Sequence, residues 1–183
     1  MLTPRFGVKM LGSKTLKKFL WVSSLIYFMS VSTVYAQAPA PPMKPLKAVL
    51  SELRSELDLS KASYFFMRCT GFSFATAGLL SSTGGAEGKT VADNWTKHAV
   101  VLIEYAAEVE KMIDEKRSKR QTKTPAERTD MILKTGVEMS NLYVDRMNAN
   151  YVRSGNYLVD DPWLKEEMDL CRDAPTTVMK AFR

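Results

Sequence analysis

The chain has 183 residues, 26 basic against 20 acidic, two cysteines and a single histidine. That length suits one ordinary domain. One histidine excludes an H-E-x-x-H zinc site, the paired Glu-x-x-His motifs of a two-iron bundle site are absent, and so is a C-x-x-C-H haem attachment.

The first 36 residues read as a secretory signal peptide. Arg5, Lys9, Lys14, Lys17 and Lys18 make a basic opening without an acid, and an apolar run from Phe19 to Val34 follows. Val34-Tyr35-Ala36 closes the three-part pattern, which places cleavage after Ala36. Ala36-Gln37-Ala38 is a second candidate site, but it would leave Pro39 first. The competing reading is an uncleaved anchor, although the apolar run is shorter than the roughly 20 residues a spanning helix needs. No cysteine stands near the cleavage point, which excludes a lipid-modified terminus. Removing these 36 of 183 residues leaves 147, and removing their five bases leaves 21 against 20, a net +1. The basic balance therefore belongs to the export signal, and nucleic acid is not an expected partner.

Residues 37–45 form a proline-rich linker, with prolines at 39, 41, 42 and 45. Such a stretch favours extended polyproline geometry. A helical domain is expected over 46–175, with 176–183 as a C-terminal tail. Leu46, Val49, Leu50, Leu53 and Leu57 predict a first helix at three- and four-residue steps. Ser60 can cap a second, over 61–81, whose apolar residues leave no polar side. Such a helix is central in a core or sits in a membrane. Arg68 inside it argues against the membrane, where it would cost about 2.5–3.5 kcal/mol. Gly71, Ala75 and Gly78 would let a neighbouring helix come close.

Ser81 to Gly88 reads as a flexible loop before a third helix over 91–117, with a stripe of Val91, Trp95, Ala99, Leu102, Ala106, Val109 and Ile113. Thr124-Pro125-Ala126-Glu127 carries the signature of a capping box with proline in the first turn. The fourth helix should run to about Arg153 and stop at Gly155. Its expected stripe is Leu133, Val137, Ser140, Val144, Met147 and Tyr151. Asp161-Pro162 opens a fifth, over 162–173, which Pro175 ends. No strand-like alternation or internal repeat appears. The expected fold is all-α, a single-domain bundle of four to five helices stapled by a Cys69–Cys171 disulfide.

No residue is assigned to catalysis, a cofactor or a metal. His98 stands at the margin of the third stripe and reads as a boundary histidine with an ordinary hydrogen bond. Serine chemistry would need it as the base, and no G-x-S-x-G elbow accompanies it. The acid pairs Asp114/Glu115 and Glu166/Glu167 point about 100° apart on their helices. Asp160/Asp161 read as a cap. The run Lys116, Arg117, Lys119, Arg120, Lys123 reads as a solvated helix end, with anionic lipid as the sharper alternative. Asn94-Trp95-Thr96 matches a glycosylation acceptor by chance, since Trp95 belongs to the stripe.

The segment 148–163 is the leading surface candidate. Its Tyr151, Arg153, Tyr157 and Trp163 are of types over-represented in binding hot spots. Three classes of function follow. The first is an exported, non-enzymatic helical module that binds another protein or envelope component. It would work in the periplasm of a Gram-negative cell and otherwise outside the cell. The second is a membrane-associated protein held by residues 61–81 or an uncleaved N-terminus. The third is an enzyme that does without histidine.

Overall fold

The structure, a computed structural model, describes residues 43–116 and 122–182. The expected signal peptide, residues 37–42 of the linker, and Arg117, Lys119 and Arg120 of the basic run lie outside these residues. Six helices and no strand occur among the described residues: α1 (Leu46–Glu56), α2 (Leu59–Thr83), α3 (Gly85–Lys116), α4 (Pro125–Ser154), α5 (Pro162–Arg172) and α6 (Ala174–Ala181). The fold is all-α, and Cys69 and Cys171 are joined in a disulfide with their Cα atoms 5.0 Å apart.

The helix without a polar side is the central one. Fourteen of the 25 residues of α2 are buried, against five of the 30 in α4. Every other helix touches α2, and α3 and α4 lie along most of its length. Its buried hydroxyls need no outside partner. Thr70, Ser73 and Thr76 donate to the carbonyls of Phe66, Cys69 and Phe72 at 3.0, 2.8 and 2.9 Å, the back-bonding that hydroxyl side chains adopt inside helices. Most of residues 62–77 thus lie in the core. No described helix is long and apolar enough to cross a membrane.

Two glycine contacts decide how the helices meet. A Cβ on Gly71 would stand 2.5 Å from Met139 Cβ and 2.9 Å from the Gly136 oxygen and the Ser140 nitrogen, so α2 and α4 touch backbone to backbone there. Gly78, expected to serve the same end, faces open space. Gly71→Ala should therefore destabilise the fold by about 1–3 kcal/mol through overpacking. Gly78→Ala should stabilise it by about 0.4–1 kcal/mol by stiffening the unfolded chain. Paired thermal melts check both signs, and equal effects would contradict this packing.

The second glycine contact corrects an expectation. Ser81–Gly88 is not a loop: Ser81, Ser82 and Thr83 continue α2, and their hydroxyls donate to the carbonyls of Gly78 and Leu79. The turn is confined to Gly84 and Gly85. Gly85 takes φ +58°, and a Cβ on Gly84 would stand 2.4 Å from Gly88 Cα. Closely spaced glycines read as flexibility in a sequence, but here they let α3 fold back along α2.

The cap of α2 is Asp58 rather than Ser60, and its carboxylate accepts from the Ser60 N–H at 2.8 Å, while the signals around α4 and α5 hold. Thr124 and Glu127 form the reciprocal capping box of α4, and Gly155 ends that helix at φ 74°. Asp161 caps α5 by accepting from the Trp163 and Leu164 N–H groups. The segment placed in a tail beyond Pro175 folds instead as α6, because proline fits a first helical turn and Val178 and Ala181 are buried. The helical domain therefore runs past residue 175, with six helices among the described residues where four or five are expected. The α4 stripe also lies about one residue round the helix from its expected place. Ile132, Gly136, Tyr143, Met147 and Asn150 face inward, while Leu133 and Val137 are exposed.

Candidate functional site

Arg68 is the largest fully buried side chain, with 0% exposure. Helix α2 carries it to the centre of the bundle, where α4 supplies Tyr143 and α5 supplies Glu167. Arg68 Nη2 donates to Glu167 Oε2 at 2.6 Å, and Nε and Nη2 donate to the Tyr143 oxygen at 3.0 and 2.9 Å. Tyr143 Oη donates in turn to Glu167 Oε2 at 2.5 Å. Arg68 Nη1 reaches the Lys44 carbonyl at 2.6 Å, and Glu167 Oε1 accepts from the Leu46 N–H at 2.8 Å. The rings of Tyr64, Tyr143 and Trp163 lie 5.5–5.8 Å from the guanidinium carbon, within cation–π range.

Burial pushes the Glu167 carboxyl above its ordinary pKa, against the lowering pull of Arg68, Tyr143 and the Leu46 N–H. Burial likewise raises the Tyr143 phenol well above its usual range, so it stays a donor. Burial works against the Arg68 charge, but Tyr143 and Glu167 more than offset it and raise its pKa. The guanidinium and carboxylate oxygens are saturated by protein donors and acceptors. This cluster binds the start of α1, α2, α4 and α5 to one another.

The other chemistry-bearing groups are similarly engaged. His98 Nε2 lies 2.9 Å from the Cys171 carbonyl, which only accepts, so Nε2 carries the proton. This is the ordinary hydrogen bond expected of it, beside the disulfide. Glu166 and Glu167 do point apart: Glu166 meets Lys47 at the surface, at 3.1 Å. At the α3–α4 corner the buried Asp114 accepts from the Lys123 N–H at 3.1 Å and Arg128 Nη1 at 3.2 Å. Against the effect of burial, these partners hold its carboxyl below the ordinary range. Glu110 accepts from Ser63 Oγ at 2.6 Å. Among the described residues, no group of three or more His, Cys, Asp or Glu side chains is placed to hold a metal ion.

The four residues expected to share a recognition surface divide into two sets. Tyr151 and Tyr157 stack with centroids 4.5 Å apart, and Arg153 Nη2 donates to Asn150 Oδ1 at 2.6 Å. These three shape the turn after α4, where Val152 and Val159 are exposed. Trp163 lies elsewhere, beneath Arg146, whose guanidinium carbon stands 4.2 Å over the ring. Arg146 also pairs through two nitrogens with Asp161 at 2.9 and 3.0 Å. Trp163 therefore serves the α4–α5 junction.

A different surface has the form of a binding site. Helices α2, α3 and α6 enclose an open apolar groove of about 270 Å³. Phe66, Val109 and Val178 form its floor, and Tyr105, Met112, Met179 and Phe182 its exposed rim. Tyr105 stacks on Phe66 at 5.4 Å. The sequence carried half of this signal, because Tyr105 and Met112 flank the α3 stripe. The other half depends on α6, which lies where the sequence predicts a tail. Comparison of the chain with known protein families, with curated proteins and with solved structures returned no match.

Proposed function

We propose that the protein is an exported helical module that binds another protein or envelope component through the groove between α2, α3 and α6. The observation that carries this reading is the groove itself. Its rim exposes four large apolar side chains together, whereas Arg68, Glu167, Tyr143 and His98 are occupied in holding the bundle. Clustered apolar exposure on a soluble fold marks interaction sites. The N-terminal pattern of residues 1–36 supports export, and a disulfide supports an oxidising compartment.

A photoreactive residue replacing Met112 in the full chain, expressed in its native cell, tests the reading. The expected result is a discrete adduct with an envelope component from this position and none from Val152. The exposed Tyr151, Val152 and Val159 favour a second reading, recognition by the turn after α4. An adduct from Val152 alone would select that surface, and no adduct from either position would overturn the module.

A further inference from the structure

We infer that Met112 and Met179 form a paired oxidation site, at which hydrogen peroxide turns the rim of the groove from apolar to polar and closes it to apolar ligands. This rests on the groove being the binding surface and adds how that surface is regulated.

Three observations meet here. The first is which sulfurs are open to an oxidant. Of the eight methionines among the described residues, Met112 and Met179 alone are exposed, by 42 and 54%. Met67 and Met147 are buried, and Met43, Met131, Met139 and Met168 are half-buried. The other three of the chain's 11 methionines, Met1, Met10 and Met29, fall in the expected signal peptide. The second observation is that no thiol competes. Both cysteines are joined in the disulfide and have no exposed surface, so the usual first target of a peroxide is missing.

The third is where the two exposed sulfurs lie. They come from different helices, α3 and α6, yet both line the same groove and supply two of its four exposed rim side chains. Thioethers give an adaptable apolar surface there, in one lining with the rings of Phe66, Tyr105 and Phe182. A sulfoxide in the same place is polar and chiral, and it disrupts methionine-lined contacts. Hydrogen peroxide gives one oxygen to each sulfur. An S–O bond forms, the peroxide O–O bond breaks, and the second peroxide oxygen leaves as water. Each sulfur loses two electrons in the exchange. A methionine sulfoxide reductase returns them from a pair of thiols, which close to a disulfide while the sulfoxide oxygen leaves as water.

The test uses the mature protein with its disulfide closed and Nile red, an uncharged dye that fluoresces in apolar surroundings. Under limiting hydrogen peroxide, peptide mapping should find oxygen on Met112 and Met179 before any of the other six methionines. Dye binding should then fall at least about tenfold, as two rim side chains lose their apolar character. The thermal melt should stay where it was, because both changes are at the surface. Reductases for the two sulfoxide epimers should together restore dye binding. Met112→Leu with Met179→Leu should bind the dye as the wild type does and ignore the peroxide.

Oxidation of the six sheltered methionines at the same rate, or dye binding indifferent to the two sulfoxides, would overturn the inference. So would an equal loss of dye from the leucine variant, or a loss that comes only with a lower melting point. The dye needs no cellular partner, so the two readings fail separately. The absence of any cellular adduct defeats the module, and indifference to oxidation defeats only the switch.

Discussion

Glu167→Ala should destabilise the protein by about 3–5 kcal/mol, the cost of breaking a buried ion pair from one side. Arg68 has no exposed surface and Glu167 only 2%. Truncation would remove the acceptor of two side-chain donors and the Leu46 N–H. The guanidinium would stay buried without its counter-charge. Replacing both members with apolar residues, Arg68→Met with Glu167→Leu, should recover part of the loss, because it removes the uncompensated charge but leaves the Tyr143 hydroxyl and the Leu46 N–H without their acceptor. Glu166→Ala, which breaks only the surface pair with Lys47, should cost about 0–1 kcal/mol. Urea unfolding of the oxidised protein measures all three. A Glu167→Ala cost no larger than that of Glu166→Ala would refute the structural role of the cluster.

Cys69→Ala should also lower stability by about 2–4 kcal/mol, the usual yield of a native bridge. The two cysteines are 102 positions apart, and closing a loop of about 100 residues is worth about 4.7 kcal/mol in the chain-entropy description. Against a typical total of about 5–15 kcal/mol, even the lower figure is large. The bridge ties the centre of α2 to the end of α5, just before α6, so its loss frees the wall of the groove as well. For a domain of this size the melting point should fall by about 5–15 °C. Cys171→Ala should match it, and reductant should change neither variant further. A reductant-insensitive wild-type melt, with both thiols shown to be reduced, would contradict this ledger.

How much of the molecule could be read from its sequence follows the range of the forces involved. The α4 cap is built from four consecutive residues, and Thr124, Pro125 and Glu127 announce it without help from the rest of the chain. The disulfide followed from a count of two cysteines. The inward side of α4 could not be read by hydropathy, because Gly136, Tyr143 and Asn150 are not strongly apolar. Gly136 faces inward because Gly71, from another helix, meets the backbone there. Arg68 was visible as a charge inside an apolar helix. Its partner Glu167, 99 positions away, carried no local mark beyond being one of two adjacent acids. The groove is the least legible feature, since three helices build it and one of them follows a proline that reads as a stop.

The intact mass of the protein recovered from its native cell tests the central claim, a secreted and disulfide-stapled binding module, most directly. The expected species begins at Gln37, lacks both thiol hydrogens and is found outside the cytoplasm. A chain still beginning at Met1, with Cys69 and Cys171 as free thiols in the cytosol, would contradict it.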